Sequence, residues 1–357
     1  MGFKCGIVGL PNVGKSTLFN ALTSSKKAQA ANFPFCTIDP NIGIVDVPDV
    51  RLDKLHKLSN SQKKINANIT FVDIAGLVKG ASTGEGLGNK FLSHIREVDA
   101  IVHLVRCFDS EKIQHVNKKI DPISDLETIK TEILLADITQ IEKKLQKSSR
   151  KKIDDKEIKL LENSINILNE GKSLYQYNDD ESQRILKNNG LMSIKPYIIV
   201  CNVDEKNVKD GNNYTKILKQ KYPNQKQIII CADIEDQITD LKKQEKEDYM
   251  QNIGLKKTGL NQLIKEGYDL LNLKTFFTSG PKETRAWTVK RNSNAQKSAG
   301  AIHSDFEKNF IRAEAVSYED FEKFGSAEKA KENGKLRVEG KDYIVKDGDV
   351  LFFRVNP

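Results

Sequence analysis

The 357-residue sequence predicts an α/β fold, in which a mostly parallel sheet carries an antiparallel helical-hairpin insertion and is followed by a small α+β domain. Three observations predict this fold. Short apolar runs typical of buried strands alternate with helical segments in the first part of the chain and return after residue 196. A long stretch with apolar residues at helical spacing separates the two groups of strands. From Thr275 onward the chain contains short strand-like runs instead of long helical periodicity.

The predicted parallel sheet has five strands. The first is followed at once by a glycine-rich loop and then by a helix with apolar positions at Leu18, Phe19 and Leu22. Because parallel strands need crossover connections, the helical segments between the runs are expected to cover both faces of the sheet. The five runs are residues 3–8, 69–73, 100–107, 196–201 and 227–231.

Two long helices are predicted between the third and fourth strands. Apolar residues recur at helical spacing through 126–145 and again through 158–168, which indicates two helices folded back on each other. The turn between them, residues 143–152, carries six basic residues and no acidic one. This turn is either a solvated charged tip or a contact for RNA or protein.

The last part of the chain is predicted to form a separate small domain. Its strand-like runs are residues 286–289, 310–316, 343–345 and 350–355, with a turn signal at 347–349. The predicted organisation is therefore a first domain over residues 1–274, a helical insertion within it over residues 121–192, and a C-terminal domain over residues 275–357.

Composition excludes some classes of protein. Lys and Arg number 57 against 49 Asp and Glu, a net charge of +8 that favours an anionic partner such as RNA. No run approaches the roughly 18 apolar residues that span a bilayer, and no apolar signal-peptide core precedes Gly9, so a membrane or secreted protein is not expected. The five cysteines lack metal-site spacing and are expected to be reduced thiols of a cytoplasmic protein. A monomer is expected.

A phosphate-binding motif lies between the first strand and the first helix. Residues 9–16 read GLPNVGKS and match G-x-x-x-x-G-K-[ST] at every fixed position, in the strand–loop–helix context that the motif requires. Backbone N–H groups and the helix N-terminus would face an anion there. We expect Lys15 to bridge the β- and γ-phosphates as a catalytic group, and the Ser16 hydroxyl to bind Mg²⁺. The other predicted nucleotide contacts in the loop are Asn12, Val13, Gly14 and Thr17, with Asn12 also a candidate ligand for a monovalent cation.

Three further residues are predicted near the phosphates. Asp73 ends the second predicted strand and suits the second carboxylate on the Mg²⁺ side. The N–H of Gly76 would approach the γ-phosphate closely. Thr37 lies between the two motifs and is placed like a switch threonine that completes the metal shell. The five glycines between Gly76 and Gly88 indicate either a loop that is ordered by nucleotide or a mobile linker.

The residues after the fourth strand predict which base is bound. Guanine-specific proteins carry Asn/Thr-Lys-x-Asp at this point, whereas this chain has Asn202-Val203-Asp204-Glu205. The extra methylene of Glu205 displaces its carboxylate from the guanine-pairing position, and a site that lacks its hydrogen bonds loses selectivity. Adenine could pair with the backbone around Val203, so ATP is predicted over GTP, with relaxed use of both as the alternative. Cys231 and Ala232 are expected to contribute main-chain contacts on the far side of the base.

Together these residues resemble the Obg-like ATPases known in bacteria as the YchF family. The resemblance implies a P-loop G domain with a helical insertion, a C-terminal TGS domain of β-grasp shape, ATP preference and association with the ribosome. The matching segments cover the chain from end to end: Gly9–Ser16, Asn32–Pro40, Asp73–Gly88, Asn202–Glu205, Arg285–Trp287, His303–Glu307 and Gly340–Tyr343.

The chain lacks the glutamine that orients the attacking water in many related GTPases. Many related GTPases place a glutamine after D-x-x-G, but this chain has Leu77, which can neither donate nor accept a hydrogen bond. The resembled family shares this replacement. Hydrolysis would then rely on the electrostatics of the phosphate clamp, on a partner, or on another side chain. His115 is the candidate side chain, with a structural or exposed histidine as the alternative reading.

Three functions stay open on the sequence. The favoured one is an ATPase that uses Mg²⁺ and whose nucleotide state controls its engagement with the large subunit or the whole ribosome. The second is a GTP-dependent switch of the translation type. The third is an RNA- or ribosome-binding protein with little turnover.

Overall fold

The computed structural model describes residues 3–30, 42–75, 87–111, 113, 119–148, 154–177, 179–239 and 241–356. Strands and helices alternate through most of this range, as the sequence predicts. The strands are β1 Lys4–Val8, β2 Ile42–Asp46, β3 Lys63–Ile65, β4 Asn68–Asp73, β5 Ala100–Arg106, β6 Tyr197–Asn202, β7 Gln227–Ile230, β8 Leu273–Ser279, β9 Glu283–Lys290, β10 Phe310–Val316, β11 Arg337–Glu339 and β12 Val350–Val355.

The described helices differ widely in length. Not one of them pairs the length with the apolar content that a membrane span requires. The helices are α1 Lys15–Ala30, α2 Val50–Leu58, α3 Leu87–Glu97, α4 Pro122–Ser148, α5 Asp155–Asn169, α6 Asp180–Asn188, α7 Asn213–Lys221, α8 Ala232–Gln237, α9 Lys243–Asn252, α10 Gly259–Leu270, α11 Ala295–Gly300, α12 Ser304–Lys308, α13 Tyr318–Phe324 and α14 Ala327–Glu332.

The chain divides into two compact units. The first comprises residues 1–45 and 70–263, and the second comprises residues 46–69 and 264–357. The sequence predicts a single boundary at 274–275 and places residues 46–69 in the first domain. These residues join the second unit because they contain α2 and β3, and β3 pairs with β9 over Lys63–Ile65. The assignment of the ranges to named domain types stays a prediction.

The first unit is built on a sheet in the order β2-β4-β1-β5-β6-β7. The pairs β1–β4, β1–β5, β5–β6 and β6–β7 are all parallel, so the predicted α/β class with a mostly parallel sheet is confirmed. Strand β5 is buried along its whole length, as a central parallel strand covered on both faces must be. The carboxyl ends of β1, β4, β5, β6 and β7 therefore lie along one edge of the sheet.

The predicted helical hairpin corresponds to α4 and α5, which pack against each other through a separate apolar cluster. The buried members of this cluster include Ile141, Leu161 and Leu168, three of the apolar positions that follow the helical spacing. The basic turn lies partly outside the described residues, since 149–153 are not described.

The second unit contains a mixed sheet in the order β11-β10-β12-β8-β9-β3. Four short helices, α11 to α14, follow β9, where the sequence indicated mainly strands. The predicted strand at 343–345 is wrong, because this segment makes only one isolated bridge, between Ile344 and Asn294. Apolar clusters cover both faces of this sheet, one around Phe277 and one around Phe276, because successive strand residues point to opposite faces.

The central strand of the first unit carries a histidine that is buried without a charged partner. His103 is 2 % exposed, its ring meets the edge of Tyr197 at 5.3 Å, and its Nδ1 has no hydrogen-bond partner within the described part of the chain. Burial, with the Lys130 ammonium as a smaller contribution, lowers the pKa of His103 to about 3. The neutral ring is therefore the form that the fold accommodates.

We expect this histidine to make the first unit acid-sensitive. The pKa of His103 in the folded state lies below the unfolded value of about 6.5, so the unfolded chain binds the additional proton and stability is lost as the pH falls from 6.5 towards 3. At pH 5 the free energy of unfolding should be lower than at pH 7 by about 2 kcal/mol from this residue alone. Urea unfolding at the two pH values would show the loss in the wild type and less of it in His103→Leu. His94→Leu, which changes a partly exposed ring on α3, is the control. Equal pH dependence in wild type and His103→Leu would contradict the expectation.

Candidate nucleotide-binding site

The predicted phosphate loop, metal carboxylate and base-recognition segment meet at the carboxyl edge of the first sheet. The loop follows β1, Asp73 ends β4, Asn202 ends β6, and Cys231 follows β7. Since these strands are parallel, their ends emerge on the same side, which is where ligands bind in open α/β sheets. The topology of the sheet thus brings together residues as far apart in sequence as Gly9 and Cys231.

The phosphate loop requires glycine at its sixth position. Gly14 has φ 92° and Asn12 has φ 65°, both in the left-handed region, where backbone N–H groups can turn towards an anion. A Cβ on Gly14 would also lie 2.3 Å from Nδ2 of Asn202. Glycine is therefore required here both by the backbone conformation and by the close approach of another strand end. Helix α1 begins directly after it, with Leu18 N–H donating to Gly14 O at 3.0 Å.

Asn202 joins this loop to the neighbouring strand ends. Its Nδ2 donates to Val13 O at 2.9 Å, and its Oδ1 accepts from Ala232 N–H at 3.0 Å. The residue is only 4 % exposed. Both polar atoms of the amide are satisfied by backbone, so Asn202 stabilises the loop against the start of α8.

Lys15 and Asp73 form an ion pair beside the loop. The Lys15 ammonium donates to Asp73 Oδ1, and both side chains are largely buried, at 13 % and 18 % exposed. The cation expected to bind phosphate and the carboxylate expected on the metal side are therefore direct neighbours. Ser16 lies on the same loop and lines the cavity described below. A hydroxyl and a carboxylate are oxygen donors of the kind that Mg²⁺ prefers, and Mg²⁺ commonly takes only one or two protein ligands beside phosphate and water.

The base-recognition segment turns sharply after Asn202. Val203 is 2 % exposed and its N–H donates to Ile230 O at 2.8 Å, so this N–H is already paired within the sheet. Asp204 caps the short 3-10 helix Glu205–Asn207, with Oδ1 accepting from Asn207 N–H at 3.1 Å. Glu205 is exposed. The carboxylate of Asp204 is thus engaged in its own turn, and Glu205 and Asp233 are exposed acidic residues that line the cavity at this end.

A cavity of about 820 Å³ runs along this edge, large enough for a nucleotide. Most of the predicted contact residues line it. The cavity is not lined by four of the predicted residues, Val13, Asp73, Cys231 and Ala232. Cys231 and Ala232 are buried instead. Burial raises the pKa of the Cys231 thiol, which keeps the thiol neutral. The predicted residues that line the cavity are Asn12, Gly14, Lys15, Ser16, Thr17, Asn202, Val203 and Glu205.

One wall of the cavity was missed by the sequence reasoning. The segment that follows β5 lines it, and β5 lies between β1 and β6 in the sheet. The signal was available, because a loop at the carboxyl end of a central parallel strand is expected to border the ligand. The missed lining residues of this wall are Phe108, Asp109, Ser110 and Ile113, whereas Leu10, Pro11, Asp204 and Asp233 line the cavity from segments that the sequence had already indicated.

Three predicted site residues lie outside the described residues. They are Thr37, Gly76 and His115. Their roles stay predictions.

Comparison with known proteins agrees with this architecture. A family model described as "50S ribosome-binding GTPase" matches residues 4–137. A second model, for the YchF GTPase C-terminal region and described as "Protein of unknown function (DUF933)", matches residues 273–356. The two models thus cover the P-loop region and the C-terminal part of the second unit.

The chain is also similar to full-length proteins. It is 50 % identical to the ribosome-binding ATPase YchF of Haemophilus ducreyi and 48 % identical to that of Bacillus subtilis, with 100 % of both chains covered in each case. The solved structure of the YchF GTPase of Schizosaccharomyces pombe is 35 % identical, covers 99 % of this chain and 98 % of that chain, and superposes with a TM-score of 0.89. The chain therefore belongs to the YchF family.

Proposed function

We propose that this chain is a ribosome-associated ATPase that hydrolyses ATP to ADP and phosphate and prefers ATP over GTP. The observation that carries the proposal is the cavity itself, in which a P-loop with its lysine and serine shares one space with Val203 and Glu205. The bacterial relatives are named ribosome-binding ATPases, which supports both the reaction and the partner. As in its relatives, the chain is a P-loop nucleoside triphosphate hydrolase.

The phosphate end supplies the hydrolytic chemistry. Backbone N–H groups of the loop and the Lys15 ammonium bind the β- and γ-phosphates and stabilise the charge that develops as the terminal phosphate leaves. Ser16 and Asp73 would hold Mg²⁺, and Thr37 would complete its shell. When bound, the ion neutralises phosphate charge. Gly76 is proposed to approach the γ-phosphate and His115 to orient the attacking water.

The base-recognition segment favours the binding of adenine over guanine. Guanine-reading sites need a carboxylate that accepts from both N1 and N2 of the base. Asp204 is used to cap its own turn, and Glu205 carries one methylene more than the aspartate of guanine-specific motifs. A guanine would therefore leave hydrogen-bonding groups unsatisfied, which is costly in a closed site.

Titration of both nucleotides in the presence of Mg²⁺ tests this preference. We expect ATP to bind at least about tenfold more tightly than GTP, and Glu205→Asp to narrow the ratio by strengthening GTP binding. Glu247→Asp, at an exposed position on α9, should leave both affinities unchanged. A wild-type preference for GTP would contradict the proposal and favour a GTP-dependent switch.

The family supports a proposal for the partner and the location of the protein. The net charge of +8 suits an anionic assembly such as the ribosome, its large subunit or RNA. A cytoplasmic, monomeric protein is proposed on this basis. Little or no turnover in the presence of ribosomes would instead favour an RNA- or ribosome-binding role.

A further inference from the structure

A buried arginine lies directly beneath the wall of the cavity that follows β5. Arg106 is the last residue of β5 and is only 1 % exposed. Its Nε donates to Phe108 O at 3.1 Å, its Nη1 to Ile113 O at 3.0 Å and its Nη2 to Ser110 O at 3.4 Å. One guanidinium thus binds three carbonyls of the segment that follows it.

The same group also packs on an aromatic ring. The Arg106 Cζ lies 4.7 Å from the centre of the Phe108 ring. A planar guanidinium can stack on a ring and donate in several in-plane directions at once, which a lysine ammonium on its flexible stem cannot do. The positions of the Phe108, Ser110 and Ile113 carbonyls therefore depend on this side chain.

Helix α7 holds the outer side of the same segment. Asn212, at its N-cap, donates through Nδ2 to Cys107 O at 2.6 Å, and the Tyr214 hydroxyl donates to Asp109 Oδ1 at 2.9 Å. These two contacts anchor the start of the segment. They do not involve the carbonyls of Phe108, Ser110 and Ile113, which accept hydrogen bonds from Arg106.

The held segment lies at the nucleoside part of the cavity. Phe108, Asp109, Ser110 and Ile113 all line the cavity. Because β5 lies between β1 and β6, the segment after it comes between the phosphate loop and the base-recognition residues that follow Asn202. Arg106 itself is not among the lining residues.

We propose that Arg106 is a positioning residue that shapes the nucleoside-binding wall of the cavity without touching the nucleotide. This inference rests on the proposed function, since it takes a purine nucleotide as the occupant. It predicts that loss of the guanidinium weakens recognition of the base and ribose but leaves phosphate binding intact.

The test compares Mg²⁺-ATP with Mg²⁺-tripolyphosphate, which presents three phosphates without a nucleoside. In Arg106→Met we expect the Kd for ATP to rise about tenfold to a hundredfold, and the Kd for tripolyphosphate to stay within about twofold of the wild type. When the rate of hydrolysis is measured as a function of ATP concentration, KM should rise while kcat is largely retained. Arg96→Met, which removes an arginine from α3 that contacts Gln140, should change neither Kd.

Arg106→Lys is the second variant, because it keeps the buried charge but not the three-way donor geometry, and it decides the question if the methionine variant does not fold. We expect Arg106→Lys also to weaken the binding of ATP while the binding of tripolyphosphate stays near that of the wild type. Wild-type affinity for ATP in Arg106→Lys, or parallel weakening of ATP and tripolyphosphate, would overturn the inference. Failure of the wild-type chain to bind ATP more tightly than tripolyphosphate would instead overturn the proposed function.

Discussion

Replacement of Lys15 with methionine should reduce the rate of ATP hydrolysis by about 10²–10³-fold or more. The ammonium lies beside Asp73 at the mouth of the phosphate loop and is the only side chain of the loop whose positive charge can follow the phosphates into the transition state. Methionine has a similar length, so the loop keeps its packing while this charge is removed. Single-turnover hydrolysis at saturating nucleotide, with and without ribosomes, measures the effect.

Lys256→Met is the matched control for the charge, because Lys256 is exposed and distant in sequence from the loop. It should hydrolyse ATP at the wild-type rate. If Lys15→Met did so too, the phosphate loop could not be the catalytic centre, and the binding protein with little turnover would become the better description. Lys256→Met should unfold at the wild-type temperature. Lys15→Met should be less stable, because it leaves the largely buried Asp73 carboxylate without its ion partner, so the rates are compared at a temperature at which both variants are folded.

Replacement of Asn202 with alanine should destabilise the first unit and weaken nucleotide binding together. The substitution leaves two buried backbone groups, Val13 O and Ala232 N–H, without their partners. Each unpaired group costs about 1–3 kcal/mol, so we expect the free energy of unfolding to fall by about 2–6 kcal/mol. The phosphate loop loses its anchor to α8 in the same step, so ATP affinity should fall even at temperatures where the unit is folded.

The variant Asn202→Asp distinguishes the contributions of the two hydrogen bonds. The carboxylate can still accept from Ala232 N–H, but it cannot donate to Val13 O and repels that carbonyl. It should therefore weaken ATP binding at least as much as alanine does while retaining part of the contact to α8. Asn261→Ala, at an exposed position on α10, is the control and should change neither stability nor affinity. ATP affinity at the wild-type level in both Asn202 variants would show that the loop does not depend on this bridge.

The phosphate loop was predictable from sequence because its signal is local. The fixed glycines, Lys15 and Ser16 lie within eight residues, and the strand before them and the helix after them are visible as an apolar run and as helical spacing. The helical hairpin was predictable for the same reason, since its apolar positions repeat at regular intervals. The family resemblance extended these local signals to the whole chain.

The base end was less predictable. The sequence placed Asn202, Val203 and Glu205 at the end of the right strand, but it did not show that Asn202 would turn towards Val13 and Ala232, or that the Val203 N–H would be paired with Ile230 O. The position of Phe108 and its neighbours after a central parallel strand indicated that this loop borders the ligand, but nothing in their local pattern identified which of its residues form the wall.

Periodicity was thus enough to predict the fold class and one short motif was enough to predict the phosphate site, since both depend on residues close together in the chain. The family followed from the matching segments along the whole chain. The tertiary structure alone decided that residues 46–69 join the second unit, that Gly14 meets Asn202, and that Arg106 binds carbonyls of the segment that lines the cavity. The first two depend on groups that are far apart in sequence, and the third on a loop that folds back on its own strand. Such contacts exist only once the strands have taken their order in the sheets, so no local pattern encodes them.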